Sequence, residues 1–387
     1  MTMLDGIRIV DLSSVIFGPY ATQMLADMGA DVIKVEPPQG DMSRYLGKPA
    51  KTVGMGSTHM TVNRGKRSIV LDLKKVEDAE TLRELIATAD VLFHNVRMQA
   101  IERLGFGFEA VKAIKPDIIY VHGAGFGQDG PYADLQAYDD VIQAATGTTS
   151  LLSRVDGDPR PRYFPSLIAD KVAGHYGAQA ILAALIHKLR TGEGQHVEVP
   201  MFECFTNFML EEHLQSMTFE PPLGPIGYPR QLDPGRQPFP TADGYIAIVP
   251  YTDEKMIQLL SILGGTHVLE DARFATRIDR FANITLFYGE IASLTPVRTT
   301  GEWLDLCAKS DIPAMEARDM GDIFADPHLV ATNFFRMKEH PTEGRYREMA
   351  PPVRFSADAD REIGLAPLLG EHSEQIHQEM RRAPDAG

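Results

Sequence analysis

The first third of the chain alternates short β-branched apolar runs with helical patterns, and that rhythm leaves few folds open. Residues 7–12 form such a run, 21–28 repeat apolar side chains at helical spacing, and 32–35 return to a run. The alternation continues through 68–73, a helix over 79–89, 90–94, a helix over 108–114, and 117–122. Strands buried on both faces read as continuous apolar stretches, and helices between them supply the crossovers of parallel pairing. The pattern therefore predicts an α/β fold: a large domain on a mostly parallel, Rossmann-like sheet covered by helices.

A chain of 387 residues exceeds the roughly 250–300 at which single cores stop growing, so a second domain is expected. Residues 171–189 give the longest helical pattern, with Gly174 and Gly177 spaced to admit a close neighbour and a stop before Thr191-Gly192. A strand over 196–199 and an amphipathic helix from 201 to about 217 follow. Residues 219–240 contain seven Pro and three Gly, which sustain neither helix nor central strand. We read 1–218 as the first part of the large domain and 219–240 as a linker. Residues 241–330 form a smaller α+β domain, with a strand over 245–249 and helices over 253–263, 284–294 and 301–308. The tail, 331–387, returns to the large domain with strand-like 353–355 and helical 374–380.

A net charge of −15 disfavours nucleic acid, whose recognition needs an excess of Lys and Arg. A local basic patch can still hold a polyanion, because exposed charges are screened beyond about 8 Å at physiological salt. Cys204 and Cys307 offer neither a disulfide framework nor a CxxC pair, and the histidines lack metal-ligand spacing, so no metal is expected. The start lacks a basic segment followed by an apolar run, and no stretch approaches 18 apolar residues. A cytoplasmic protein without membrane attachment is the expectation.

Gly125-Phe-Gly-Gln-Asp-Gly130 matches GxGxxG after a strand, but Pro131-Tyr132 follow instead of a helix and no ribose-binding acid stands about 20 residues on. It reads as a glycine loop over a site or a plain turn. Gly65-Lys66-Arg67 lacks the remainder of a phosphate loop, and neither GxSxG nor HExxH occurs.

The chemically informative segment is 164–178, an extended run that ends in Asp170 at the entrance of the long helix. Aspartate there is a favoured N-cap. That is the reading the local pattern favours; the other is that a carboxylate beside the first-turn amides, ionised without a partner base, can attack a thioester where developing negative charge is steadied. The acyl anhydride so formed hydrolyses easily, so such a site must exclude water.

The chain resembles the class III CoA-transferases, the formyl-CoA and carnitine CoA-transferase family, from end to end. The resemblance is carried by Leu4-Asp-Gly-Ile-Arg-Ile-Val-Asp-Leu12, Gly18-Pro19, residues 25–36, Gly40-Asp41, Asn63-Arg-Gly-Lys-Arg-Ser68, Ala169-Asp170, Thr191-Gly-Glu-Gly-Gln195, Asp271-Ala-Arg-Phe274 and Leu369-Gly-Glu-His372. It implies that Asp170 carries the acyl group and then CoA, with coenzyme A as a substrate, an acyl-CoA and a small carboxylic acid as partners, and an interlocked homodimer. It also implies that Lys66, Arg67, Asn95, Val96, Arg97 and Arg103 lie in CoA-contacting segments, and Val15 and Ile16 in the loop near the thioester.

Tyr138-Asp139-Asp-Val-Ile-Gln143 matches the family's Tyr-Glu-x-x-x-Gln pattern, making Asp139 and Gln143 candidates to orient the nucleophile region. Ile16 stands where formyl-transferring members carry Gln, Gln136 where some carry Lys, and 219–240 roughly where oxalate-using members carry a glycine run. The last two departures argue against formate/oxalate exchange. A 2-methylacyl-CoA racemase or a non-catalytic CoA binder are the alternatives. The racemase lacks its base, since Tyr138 begins the block that His begins in racemase-like members. Whether loop 123–130 or stretch 219–240 closes over the site is left open, as are the identities of the acids.

Overall fold

Six parallel strands carry the molecule's chemistry-bearing half: β1 (Arg8–Asp11), β2 (Asp31–Glu36), β3 (Arg67–Val70), β4 (Val91–His94), β5 (Ile119–Ala124) and β6 (Gln195–Pro200). In this computed structural model, which describes residues 2–358 and 361–382, they pair in the order β3-β2-β1-β4-β5-β6, each pair parallel. Alternate residues of a strand face opposite sides, so Ile9, Val91, Phe93, Ile119 and Val121 enter one core and Val10, Ile33, Leu92 and Tyr120 the other. All ten residues of β4 and β5 are buried, as expected where helices cover both faces. The sheet is wholly parallel, and its strand order reverses direction between β1 and β4. Loops leaving those two strands diverge, which opens a crevice at their carboxyl ends.

Contacts group the chain into two compact units. Unit 1 comprises residues up to 149, 163–211 and those from 333 on; unit 2 comprises 150–162 and 212–332. The proline-rich stretch 219–240 lies inside unit 2. That unit holds a small antiparallel sheet, β7 (Phe239–Pro240), β8 (Tyr245–Ile248) and β9 (Ala314–Glu316), over a core of Leu259, Phe274, Phe287, Trp303 and Cys307. Buried Trp303 donates its indole N–H to the Thr295 carbonyl at 2.7 Å, the partner an enclosed indole needs.

Within unit 1 the tail forms a hairpin, β10 (Phe335–His340) with β11 (Gly344–Met349). The expected strand at 353–355 is corrected: those residues are irregular, because Pro351 and Pro352 just before them lack the amides a ladder needs. Among the described residues no helix is long and apolar enough to cross a membrane.

Helix α1 (Phe17–Asp27) and the long helix Ile168–Thr191 pack on one face of the sheet, sharing a core with Leu25, Ala173 and Ile181. Gly174 and Gly177 allow the approach anticipated from their spacing. A Cβ on Gly174 would stand 2.9 Å from Tyr20 Cδ1 and 3.0 Å from the Phe17 carbonyl oxygen. Helix propensity favours alanine over glycine by about 1 kcal/mol, yet overpacking against a backbone costs roughly 1–3 kcal/mol. Gly174→Ala is therefore expected to lower stability to urea unfolding, by about 1 kcal/mol, whereas exposed Gly289→Ala raises or preserves it.

Candidate active site

The crevice beyond β1, β4 and β5 holds a cavity of about 260 Å³ lined by Ser14, Val15, Asn95, Arg97, His122, Gly123, Gly125, Gln136, Tyr138 and Asp170. Beneath it lies a network of buried charges. Lys66, at the start of β3, points its ammonium at Asp11 of β1 (3.1 Å) and donates to the Pro19 carbonyl, Thr22 and Asn63 at 2.8–2.9 Å. Lys34 pairs with Asp41 at 2.7 Å and donates to the Ser13 carbonyl at 2.9 Å. Burial pushes the Asp11 carboxyl up, but Lys66 and Lys34 more than offset it and hold the group at about 2. Burial lowers Lys66 to about 8, against the pull of Asp11.

These facts correct two sequence expectations. Lys66 is buried with its ammonium fully occupied, so it offers nothing to a phosphate of CoA. Arg67 is likewise engaged, forking onto Asp31 (2.8 and 2.6 Å) and reaching Glu379 (2.8 Å). Val96 packs against the second core, Arg103 is exposed outside the cavity lining, and Ile16 is buried just before α1. Val15, Asn95 and Arg97 do face the cavity. Asn95 clasps Ser14, accepting from its amide and donating to its carbonyl, both at 2.9 Å. Val15 sits at φ 69, a region a β-branched residue rarely adopts, with its amide held by Asp41 at 3.0 Å. Arg97 is exposed and none of the described ion pairs includes it.

The structure brings Asp170, Asp139 and Gln143 together. The long helix begins at Ile168 after Leu167, so Asp170 is its third residue and not its N-cap. Helix α2 (Asp139–Ala145) places Asp139 and Gln143 one turn apart. Asp139 accepts from the Asp170 amide through one carboxylate oxygen (3.1 Å) and from Gln143 through the other (2.6 Å). Gln143 also takes the Phe164 amide (2.9 Å) and donates to the Ser166 carbonyl (3.2 Å), so the pair fixes the run that leads into Asp170. The first-turn amides expected to be free are largely occupied: Ile168 donates to Ser166 and Asp170 to Asp139.

Asp170 is 8% exposed, and no described hydrogen bond engages its carboxylate oxygens. Burial, reinforced by the negative charge of Asp139, pushes its carboxyl up to about 7. The glycine loop after β5 is anchored on its far side, where Gly127 donates to Glu203 (3.1 Å) and Gln128 to Glu198 (2.8 Å). A Cβ on Gly125 would meet Ala137 at 2.4 Å, so that glycine is required by close packing beside the cavity.

Sequence reasoning missed His122, Glu198 and Glu203. His122 stacks on His94 at 4.9 Å between ring centroids, and burial together with neighbouring His196 lowers it to about 4, so it lines the cavity as a neutral ring. Its place one residue before the glycine run was the available signal. Among the described residues no cluster of three or more His, Cys, Asp or Glu could hold a metal ion.

The doubly wound sheet thus carries a shielded carboxylate in the cavity at its strand ends, and the chain is similar to known proteins over most of its length. Residues 4–373 match the model of CoA-transferase family III. The succinate–glutarate CoA-transferase of Agrobacterium fabrum is 34% identical over 97% of this chain and 95% of its own length. Human succinyl-CoA:glutarate CoA-transferase is 31% identical over 99% and 87%. The crystal structure of a CaiB/BaiF family protein from Brucella suis superimposes with TM-score 0.82 at 32% identity, covering 98% of this chain and 99% of that one. The chain belongs to CoA-transferase family III, and is an enzyme that transfers CoA between carboxylic acids.

The raised Asp170 carboxyl has a consequence for stability. The folded state keeps its proton up to about pH 7, whereas the unfolded chain loses it near 3.8, so ionisation at rising pH weakens the fold. Asp170→Asn removes that dependence. In urea titrations the variant is expected to match wild type near pH 4 and to exceed it above pH 8 by on the order of 2–4 kcal/mol.

Proposed function

We propose that Asp170 is the nucleophile of a two-stage transfer. Its carboxylate attacks the thioester carbonyl of the donor acyl-CoA; the C–S bond breaks and CoA leaves as thiolate, giving an acyl–aspartyl anhydride. The thiolate then attacks the Asp170 carboxyl carbon, releasing the donor acid and leaving an aspartyl–CoA thioester. The acceptor carboxylate displaces CoA to form a second anhydride, and thiolate attack on its acyl carbon yields the new acyl-CoA and free Asp170. No proton need move, which suits a site offering carboxylates and a neutral histidine.

The observation that carries this reading is a carboxylate that lines the cavity, is almost fully buried, and accepts no described hydrogen bond. Desolvation raises its basicity and hence its nucleophilicity, and exclusion of water protects the anhydride. Asp139 and Gln143 act as positioning residues through the backbone of 164–170, while Val15, Asn95 and Arg97 contact CoA. A cytoplasmic homodimer is the proposed setting. Relatives named for succinate and glutarate make short dicarboxylic acids the first acids to test.

Purified enzyme is expected to exchange label between a CoA ester and free acid, and hydroxylamine to leave a hydroxamate on the peptide holding Asp170. Asp170→Ala should lose at least a thousandfold in kcat. Exchange of the substrate's α-proton without CoA transfer would instead indicate a racemase. Because the carboxylate is the active form, kcat/KM rises with pH to a plateau above about 7. In Asp139→Asn the midpoint moves to lower pH, since the like charge is gone while burial persists; an unmoved midpoint would show that Asp139 does not tune the nucleophile.

A further inference from the structure

Gly125 and Gln128 of the glycine loop line the same cavity as Asp170, and two acids hold that loop from its far side. Glu203 accepts from the Gly127 amide through both carboxylate oxygens, at 3.1 and 3.2 Å, and Glu198 accepts from the Gln128 amide at 2.8 Å. Every described hydrogen bond of these two carboxylates goes to the loop. The acids come from different elements. Glu198 belongs to β6, on the strand face opposite Val197 and Val199, which pack in the first core. Glu203 lies in the first turn of the helix Met201–His213, whose Met201 and Phe205 join that core.

The loop's own residues are fitted to this grip. Phe126, 5% exposed, sets its ring against Tyr132 and Phe202, each at 5.4 Å between centroids, and the Gly125 carbonyl accepts from the Phe202 amide at 3.0 Å. Neither Gly125 nor Gly127 has a positive φ, so glycine serves space there and not backbone freedom. A Cβ on Gly127 would stand 2.7 Å from Glu203 Oε1, in the place the carboxylate occupies. A segment that opens and closes around substrate is drawn from weakly held backbone, whereas four successive residues here are tied to β6 and the helix after it.

We infer that residues 125–128 are a fixed wall of the site, and that Glu203 and Glu198 are positioning residues which keep that wall closed to water while Asp170 carries an anhydride. Both acids are exposed and act only through the backbone they hold. An ionised acceptor binds an amide more strongly than a neutral one, which is the reason for carboxylates at these two places. In the leak they prevent, water adds to the acyl–aspartyl anhydride and one C–O bond to its bridging oxygen breaks. The products are two carboxylates and two protons, one of which the CoA thiolate takes up. The statement about water rests on the transferase reading above; the statement about the clamp rests on this geometry alone.

The test uses full-length wild type, Glu203→Ala, Glu203→Gln and Gly127→Ala, with two readouts. Amide hydrogen exchange, followed by mass spectrometry of the peptide spanning 123–132, reports the clamp. The ratio of acyl-CoA hydrolysis to CoA transfer, with succinyl-CoA and glutarate as probes, reports the leak. In wild type the loop amides are expected to be protected without substrate and to change little when acyl-CoA is added. Glu203→Ala should speed their exchange about tenfold and raise the hydrolysis ratio about tenfold. Glu203→Gln, which keeps an acceptor oxygen and guards against a folding defect, should fall between. Gly127→Ala, which displaces the carboxylate without altering it, should reproduce Glu203→Ala.

Loop amides that exchange freely in wild type and gain protection only with acyl-CoA would make the segment a lid and overturn the inference. Unchanged exchange in Glu203→Ala would remove the clamp, and faster exchange with an unmoved hydrolysis ratio would remove the barrier to water. Wild-type enzyme that exchanges no label between CoA ester and acid would sink the transferase reading, and with it the anhydride, while the hydrogen-exchange result still decides the clamp.

Discussion

The buried charge network under the β1–α1 loop is the constraint on which the site rests. Lys66 ties the start of β3 to the end of β1 and to the first turns of α1, through Asp11, the Pro19 carbonyl and Thr22. Lys34 and Asp41 hold the loop itself, at the Ser13 carbonyl and the Val15 amide. A buried ion pair is weak evidence of stability, because desolvation offsets most of its attraction, but removing one partner leaves an uncompensated charge in the core. The network's contribution is register. With α1 fixed, the glycine face of the long helix can seat against it, and the position of Asp170 follows from that seating.

The carboxylate pair at the mouth of the long helix works by opposition. Asp139 is engaged by the Asp170 amide and by Gln143, whereas no described hydrogen bond reaches the Asp170 carboxylate. Two neighbouring acids thereby differ in environment, one hydrogen-bonded as an anchor and the other raised by burial and by its neighbour's charge. The same hydrogen bonds that satisfy Asp139 immobilise the backbone of its neighbour, so electrostatic tuning and positioning come from one set of contacts.

The parallel sheet was legible because β4 and β5 are apolar on both faces, a pattern with few alternative explanations. Asp170, Asp139 and Gln143 were legible only through motif resemblance; nothing local distinguishes Asp170 from an ordinary cap, and it is in fact not the cap. Lys66 and Arg67 misled, because a basic pair in a loop gives no sign of the acids it will meet. Asp11 lies 55 residues away and Glu379 312, separations at which sequence pattern carries no pairing information. The tail strand at 353–355 failed for a visible reason, the two prolines before it.

The path of the chain has a consequence for biosynthesis. The backbone enters unit 2 at 150, leaves it at 163, re-enters at 212 and returns to unit 1 at 333. The sheet's β3 edge is finished by late residues: the His372 amide donates to the Ser68 carbonyl, and the Ser373 hydroxyl accepts from the Val70 amide. On the ribosome, therefore, the first strands emerge long before the segment that covers them, and unit 2 is translated in between. Such non-local closure slows folding and prolongs exposure of the unfinished edge. Neither unit can be cut out as one continuous piece of chain.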